Sequence, residues 1–185
     1  MKMARPGTLS ITITITISLT IGLLALGASA VTGASQHAQD ARDAQDHHAG
    51  VMKRGAHVMG FDQTTTTHHF RLTRAGGIIE VTANDAADKT AISQIQNHLQ
   101  HIAAMFGEGN FTAPMLIHAQ EPPGVADMKR AGAAIGYKYE PLPRGGRVLL
   151  TTTATTHINA VHDFLRFQIT DHKTGDPLEV TPERN

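Results

Sequence analysis

His98, His101 and Met105 stand at i, i+3 and i+7 in a stretch with helical spacing. At about 100° per residue, the three side chains fall within about 60° of one another. Two imidazoles and a thioether on one helical edge can ligate a soft transition metal; copper suits histidine with methionine, and zinc suits histidine alone. A pair one turn apart can share an ion but needs a third or fourth ligand from elsewhere. Without a metal, the same residues simply flank a core, packing by their ring edges. Other histidines are candidates for the missing ligands. His162 lies inside an apolar stripe, between Ile158 and the pair Leu165 and Ile169, and His172 joins it if the helix runs that far. A buried imidazole needs a metal, a carboxylate or a backbone carbonyl at each ring nitrogen. Asp163 points off that stripe and is a poor partner. On a strand, adjacent His68 and His69 face opposite ways, and His68 shares the side of Phe70 and Leu72. His118 follows Met115 and Ile117 and can converge on the same place. The expected metal set is therefore His68, His98, His101 and His162, with His69 and Met105 as further members. It would bind copper or zinc, with affinity weakening as pH falls through about 6.

A competing chemistry is general-base catalysis by His98, His101 or His162, with Asp85 or Asp163 as orienter. It requires a concave pocket holding an imidazole within hydrogen-bond reach of a carboxylate. The chain has no Gly-x-Ser-x-Gly elbow, no His-Glu-x-x-His helix, no phosphate-cradling Gly-x-x-x-x-Gly-Lys loop and no Cys-x-x-Cys-His haem attachment. A non-catalytic metal-binding domain is the favoured reading. A cell-envelope interaction module with structural histidines is the blander one.

Twelve histidines and no cysteine are read against an N-terminus with the features of an export signal. Lys2 and Arg5 precede an uncharged run with an apolar centre at Ile21-Gly22-Leu23-Leu24-Ala25-Leu26, and Ala28-Ser29-Ala30 fits a small-residue cleavage site. A periplasmic or secreted protein beginning at Val31 is expected, with no stable membrane insertion after cleavage. Without cysteines it can have neither a disulfide staple nor a thiolate metal site. Removing Lys2 and Arg5 leaves 16 − 2 = 14 basic residues against 16 acidic ones, with histidines neutral. That balance gives no reason to expect nucleic acid or an anionic membrane as partner.

These side chains need elements to hold them. Residues 31–51 are polar and nearly free of large apolar groups, and read as a disordered or weakly helical linker. One α+β domain is expected over 52–177, with a tail at 178–185. Thr66 to Thr73 has the composition of a strand, Ala75-Gly76-Gly77 of a turn, and Ile78 to Thr82 of the return strand. Apolar residues at Ile92, Ile95, Leu99, Ile102 and Phe106 mark a long helix from Ala87, which Gly107 and Gly109 end. Phe111 to His118 reads as a strand interrupted by Pro114, and a short helix from Pro122 to about Ala131 follows. Ile135 to Glu140 and Arg147 to Thr153 form a second hairpin, and Thr155 to Asp171 a second long helix. Gly76-Gly77-Ile78-Ile79-Glu80-Val81-Thr82 parallels Gly145-Gly146-Arg147-Val148-Leu149-Leu150-Thr151. The expectation is an antiparallel sheet from two β-hairpins with two long helices on one face, built from a duplicated strand-turn-strand-helix unit. The opposite face should be polar; a large apolar patch there would favour a homodimer or other partner.

The stretches Met59-Gly60-Phe61-Asp62-Gln63, Thr67-His68-His69-Phe70, His98-Leu99-Gln100-His101-Ile102, His162-Asp163-Phe164-Leu165-Arg166-Phe167-Gln168-Ile169 and Thr174-Gly175-Asp176-Pro177 resemble an uncharacterised family of secreted bacterial proteins. The resemblance covers about Met59 to Pro177. Some relatives carry the label aspartate carbamoyltransferase, a two-domain enzyme with a Ser-Thr-Arg-Thr phosphate-binding run that this chain lacks. The resemblance implies an exported domain whose histidines 68, 69, 98, 101 and 162 belong to a shared site.

Overall fold

The computed structural model describes residues 28–180. The export signal expected before Ala28 lies outside them. The chain divides into two compact units, residues 1–40 and 41–185. Helix α1 spans Ala28–Met59. The segment expected as a disordered or weakly helical linker is therefore helical. Its alanine, glutamine and arginine are good helix formers, and within the second unit it carries buried Val51 and Met59.

The second unit holds a four-stranded antiparallel sheet in the order β1-β2-β4-β3, so the fold is α+β. After a short 3-10 turn come β1 (Thr66–Thr73) and β2 (Gly76–Ala83), then α2 (Lys89–Gly107). Short helices α3 (Thr112–His118) and α4 (Val125–Ala131) lead to β3 (Gly136–Leu142), β4 (Gly145–Thr151) and α5 (Thr155–His172). Both hairpins turn through two residues, Arg74-Ala75 and Pro143-Arg144, because the glycine pairs already belong to the return strands. Residues 112–118 are helical where a strand was expected. Pro114 falls in the first helical turn, where a missing N–H costs nothing, and the Asn110 side chain accepts from the Thr112 N–H.

The two halves are related by a pseudo-twofold axis. Laying Gly76 of β2 on Gly145 of β4 carries Ile79 onto Val148, and these two residues face each other across the central pair. The same shift carries the β1–β2 register onto the β3–β4 register residue by residue, Thr73↔Gly76 onto Leu142↔Gly145. The helices cross over. Helix α2 packs mainly on β3 and β4, and α5 on β1 and β2. Each crossing lies over a glycine, with the closer approach at Gly77. A Cβ on Gly77 would lie 2.1 Å from Leu165 Cδ1, and one on Gly146 would lie 3.4 Å from Leu99 Cδ1. Aligning Leu99 with Leu165 also aligns the starts of α2 and α5, Lys89 and Thr155.

The core lies between the sheet and these helices, with Ile95, Leu99, Val148, Leu150, Val161 and Leu165 among its buried members. The other sheet face is polar. Arg71 pairs with Glu80 at 2.9 Å, and Glu140 bridges Lys138 and Arg147 at 2.9 and 2.8 Å. Hydrogen bonds from Lys138 and Arg147 hold the Glu140 carboxyl below its ordinary range. Among the described residues, no helix is long and apolar enough to cross a membrane.

Candidate functional site

The inward residues of β1 and the last turn of α5 bring His68 and His172 together. Their rings are 7° from parallel with centroids 5.9 Å apart. Phe61 stacks on the other side of the site, 6.0 Å from His68 and 5.6 Å from His98 of α2. His68, His98 and His172 line one cavity of about 60 Å³ whose other walls include Met59, Phe70, Ile117, Phe164 and Gln168. A second, more polar chamber of about 210 Å³ adjoins it, lined by Met52, Gln63, Thr66, Thr67 and Thr174; His68 and His172 stand in the walls of both.

The electrostatics of the three rings are alike. Burial, reinforced by His98 and His69, pushes His68 down to about 4. Burial, with a smaller push from His101, brings His98 to about 4. Burial first, then His68 and His118, brings His172 to about 3 against the opposing pull of Asp171. All three are therefore neutral imidazoles near pH 7. His68 Nε2 is buried without a hydrogen-bond partner.

The pseudo-twofold places a control beside this site. The position of His68 on β1 corresponds to Tyr137 on β3, and that of His172 on α5 to Phe106 on α2. Phe106 packs edge-on against Tyr137 at 5.8 Å. One half of the molecule closes its core with an aromatic pair, and the other half puts two imidazoles in the matching positions.

Behind His172 lies a hydrogen-bonded pair that the sequence did not disclose. Buried His118, at the end of α3, bonds through Nδ1 to Asp171 Oδ2 and meets His172 edge-on at 5.0 Å. His47 Nε2 bonds the other oxygen of Asp171 at 2.7 Å, and His48 Nδ1 reaches the Asp171 carbonyl at 3.2 Å. Burial works to raise the Asp171 carboxyl, but the bonds from His118 and His47 outweigh it and hold the group below its ordinary range. His118 Nε2 lies 2.9 Å from Gln168 Oε1, while Gln168 Nε2 has no partner. Turning that amide end for end lets its N–H donate to His118 Nε2, so that a neutral ring is satisfied on both sides.

The expected metal set separates. His68 and His98 meet at the cavity. His162 bonds through Nε2 to the Thr73 carbonyl at 2.9 Å and is a satisfied core histidine. His69 faces the other side of the sheet, its Nδ1 2.8 Å from Asp176 Oδ1, while Asp176 Oδ2 accepts from the Phe70 N–H. His101 is exposed, and Met105 packs half-buried against the core. Position on the helix is the cause: 60° of rotation puts His98 under Phe61 and leaves His101 in solvent. Among the described residues, no group of three or more His, Asp or Glu side chains is placed to hold a metal ion. The carboxylates expected as orienters do other work. Asp85 accepts from the Ala87 N–H and Asp163 sits 3.4 Å from Arg166. The carboxylate-bound ring His118 has its second nitrogen covered by Gln168, which stops it acting as a base in the cavity.

Comparison with family models, with curated proteins and with solved structures finds no match to the chain.

Proposed function

We propose that this chain is an exported, non-catalytic bacterial domain that binds one transition-metal ion, copper or zinc, through His68, His98 and His172. The observation that supports this most is the imidazole pair His68 and His172 in the positions where the other half of the fold uses Tyr137 and Phe106. A core needs only the aromatic pair; burying two imidazoles there, one with an orphaned nitrogen, costs stability. Neutral nitrogen donors around a small cavity are what a borderline or soft ion takes. As packed, His68 and His172 stack face to face and His98 stands edge-on to Phe61, so ligation requires the rings to rotate into the cavity between them. His118, held by Asp171, packs edge-on against His172 and limits how that ring can turn.

The test is a titration of the mature protein with Zn(II), and with Cu(I) under reducing conditions. The comparison is a His68→Phe/His172→Phe variant, which replaces both imidazoles with an aromatic pair as in the other half. A loss of at least about tenfold in affinity supports the reading; equal affinity removes it. A His68→Leu/His172→Leu variant serves the same purpose if the larger rings do not fit.

A further inference from the structure

Nothing in the cavity or chamber wall is a carboxylate. A cation held there meets no counter-charge in either wall. The cost of burying an ion rises with the square of its charge, so a dication is penalised about four times as heavily as a monocation. The walls also carry sulfur. Met59 lines the cavity and Met52 lines the chamber. Both lie on α1, seven residues apart, within about 20° on one helical face. That stretch of α1 is held onto the domain by two specific bonds, Arg54 Nε donating to the Ile117 carbonyl at 2.7 Å and Gln63 Nε2 donating to the Met52 carbonyl at 2.7 Å. His68 and His172 border both spaces, so an ion on those two rings has a thioether within reach on either side. Met105, on the outer flank of α2, lines neither space.

We propose that the ion is monovalent copper and that α1 completes its shell with thioether sulfur, from Met59 on the cavity side or Met52 on the chamber side, alongside the cavity histidines. This rests on the metal-binding reading above and goes further by fixing the ion and the helix that supplies its sulfur. Neutral nitrogen and thioether donors around a monocation balance softness without needing a counter-charge. Zinc, which takes its fourth ligand from cysteine, carboxylate or water, gains nothing from the sulfurs. The site is then a selective one, and the segment that makes it selective is the polar-looking helix preceding the sheet.

The experiment uses the mature chain and a Met52→Leu/Met59→Leu variant, in which leucine keeps the volume and apolar character of each side chain. Cu(I) affinity, measured by competition with a chromogenic chelator, should fall at least about tenfold, while Zn(II) affinity stays within about twofold. X-ray absorption on the Cu(I)-loaded protein grown with selenomethionine should show copper–selenium scattering. Unchanged Cu(I) affinity with a nitrogen-and-oxygen shell overturns this inference and leaves a histidine metal site standing. If the unmutated protein takes up neither ion, the parent reading fails and takes this one with it.

Discussion

Acid should unfold this domain early, and the three cavity imidazoles set how early. In the unfolded chain each ring titrates near 6.5; in the fold His68 and His98 titrate near 4 and His172 near 3. The folded values lie below the unfolded ones, so the unfolded state binds more protons throughout the interval between them. Stability is therefore whole above pH 6.5 and is lost as pH falls towards 4. At pH 5 an unfolded ring lies 1.5 units below its pKa, worth about 2 kcal/mol, while the folded rings stay neutral. Three rings together remove about 6 kcal/mol between pH 7.5 and pH 5, comparable with the whole stability of an ordinary domain. The assay is urea denaturation of the metal-free protein at a series of pH values. The His68→Phe/His172→Phe variant should lose about 4 kcal/mol less over that interval than the unmutated protein. The comparison cancels the contribution of the other histidines. Parallel pH profiles for the two proteins would refute the reasoning, because they would mean that neither ring resists protonation in the fold.

Other consequences follow from single contacts. His162→Leu strands the Thr73 carbonyl and should cost about 1–3 kcal/mol in chemical denaturation, while leaving metal affinity unchanged. Gly77→Ala puts a methyl 2.1 Å from Leu165 Cδ1 and 2.7 Å from the Arg71 carbonyl, so it should lower stability by about 1–3 kcal/mol or more, read as a fall in Tm. Asp171→Asn turns one of the two oxygens that His118 and His47 bond into an N–H donor, so one of the two rings loses its acceptor. It should destabilise the fold by about 1–3 kcal/mol and raise amide exchange across residues 47–59, where α1 leans on that hub.

How far the sequence discloses this fold depends on how local each signal is. The strands were legible because Thr66–Thr73 is rich in threonine and puts His68, Phe70 and Leu72 at alternate positions, and α2 because its apolar spacing is unbroken from Ile92 to Phe106. His68 was legible as an inward residue for the same reason, from the side it shares with Phe70 and Leu72. Helix α1 was obscured because its first half carries no apolar stripe, and the contacts of its second half come from Asp171 and Ile117, far along the chain. The pairing of His118 with Asp171 spans 53 residues, and α3 was read as a strand, so nothing local pointed to it. His162 looked like a ligand because its stripe position demands a nitrogen partner; spacing cannot say that the partner is the Thr73 carbonyl. His172 needed only the helix to continue one residue past Asp171, and it does. The glycine-pair repeat pointed to a duplication. The exchange of Tyr137 and Phe106 for two histidines became visible only once the registers were laid over each other.

The central claim is that His68, His98 and His172 act as one group of ligands. Its most direct test follows the imidazole signals of the protein by NMR as one equivalent of Cu(I), and separately Zn(II), is added. The account predicts that these three rings shift or broaden together at one-to-one stoichiometry, while His162, His69 and His101 keep their metal-free resonances. Uniform small shifts on the exposed histidines, with the three cavity rings unmoved, would contradict it.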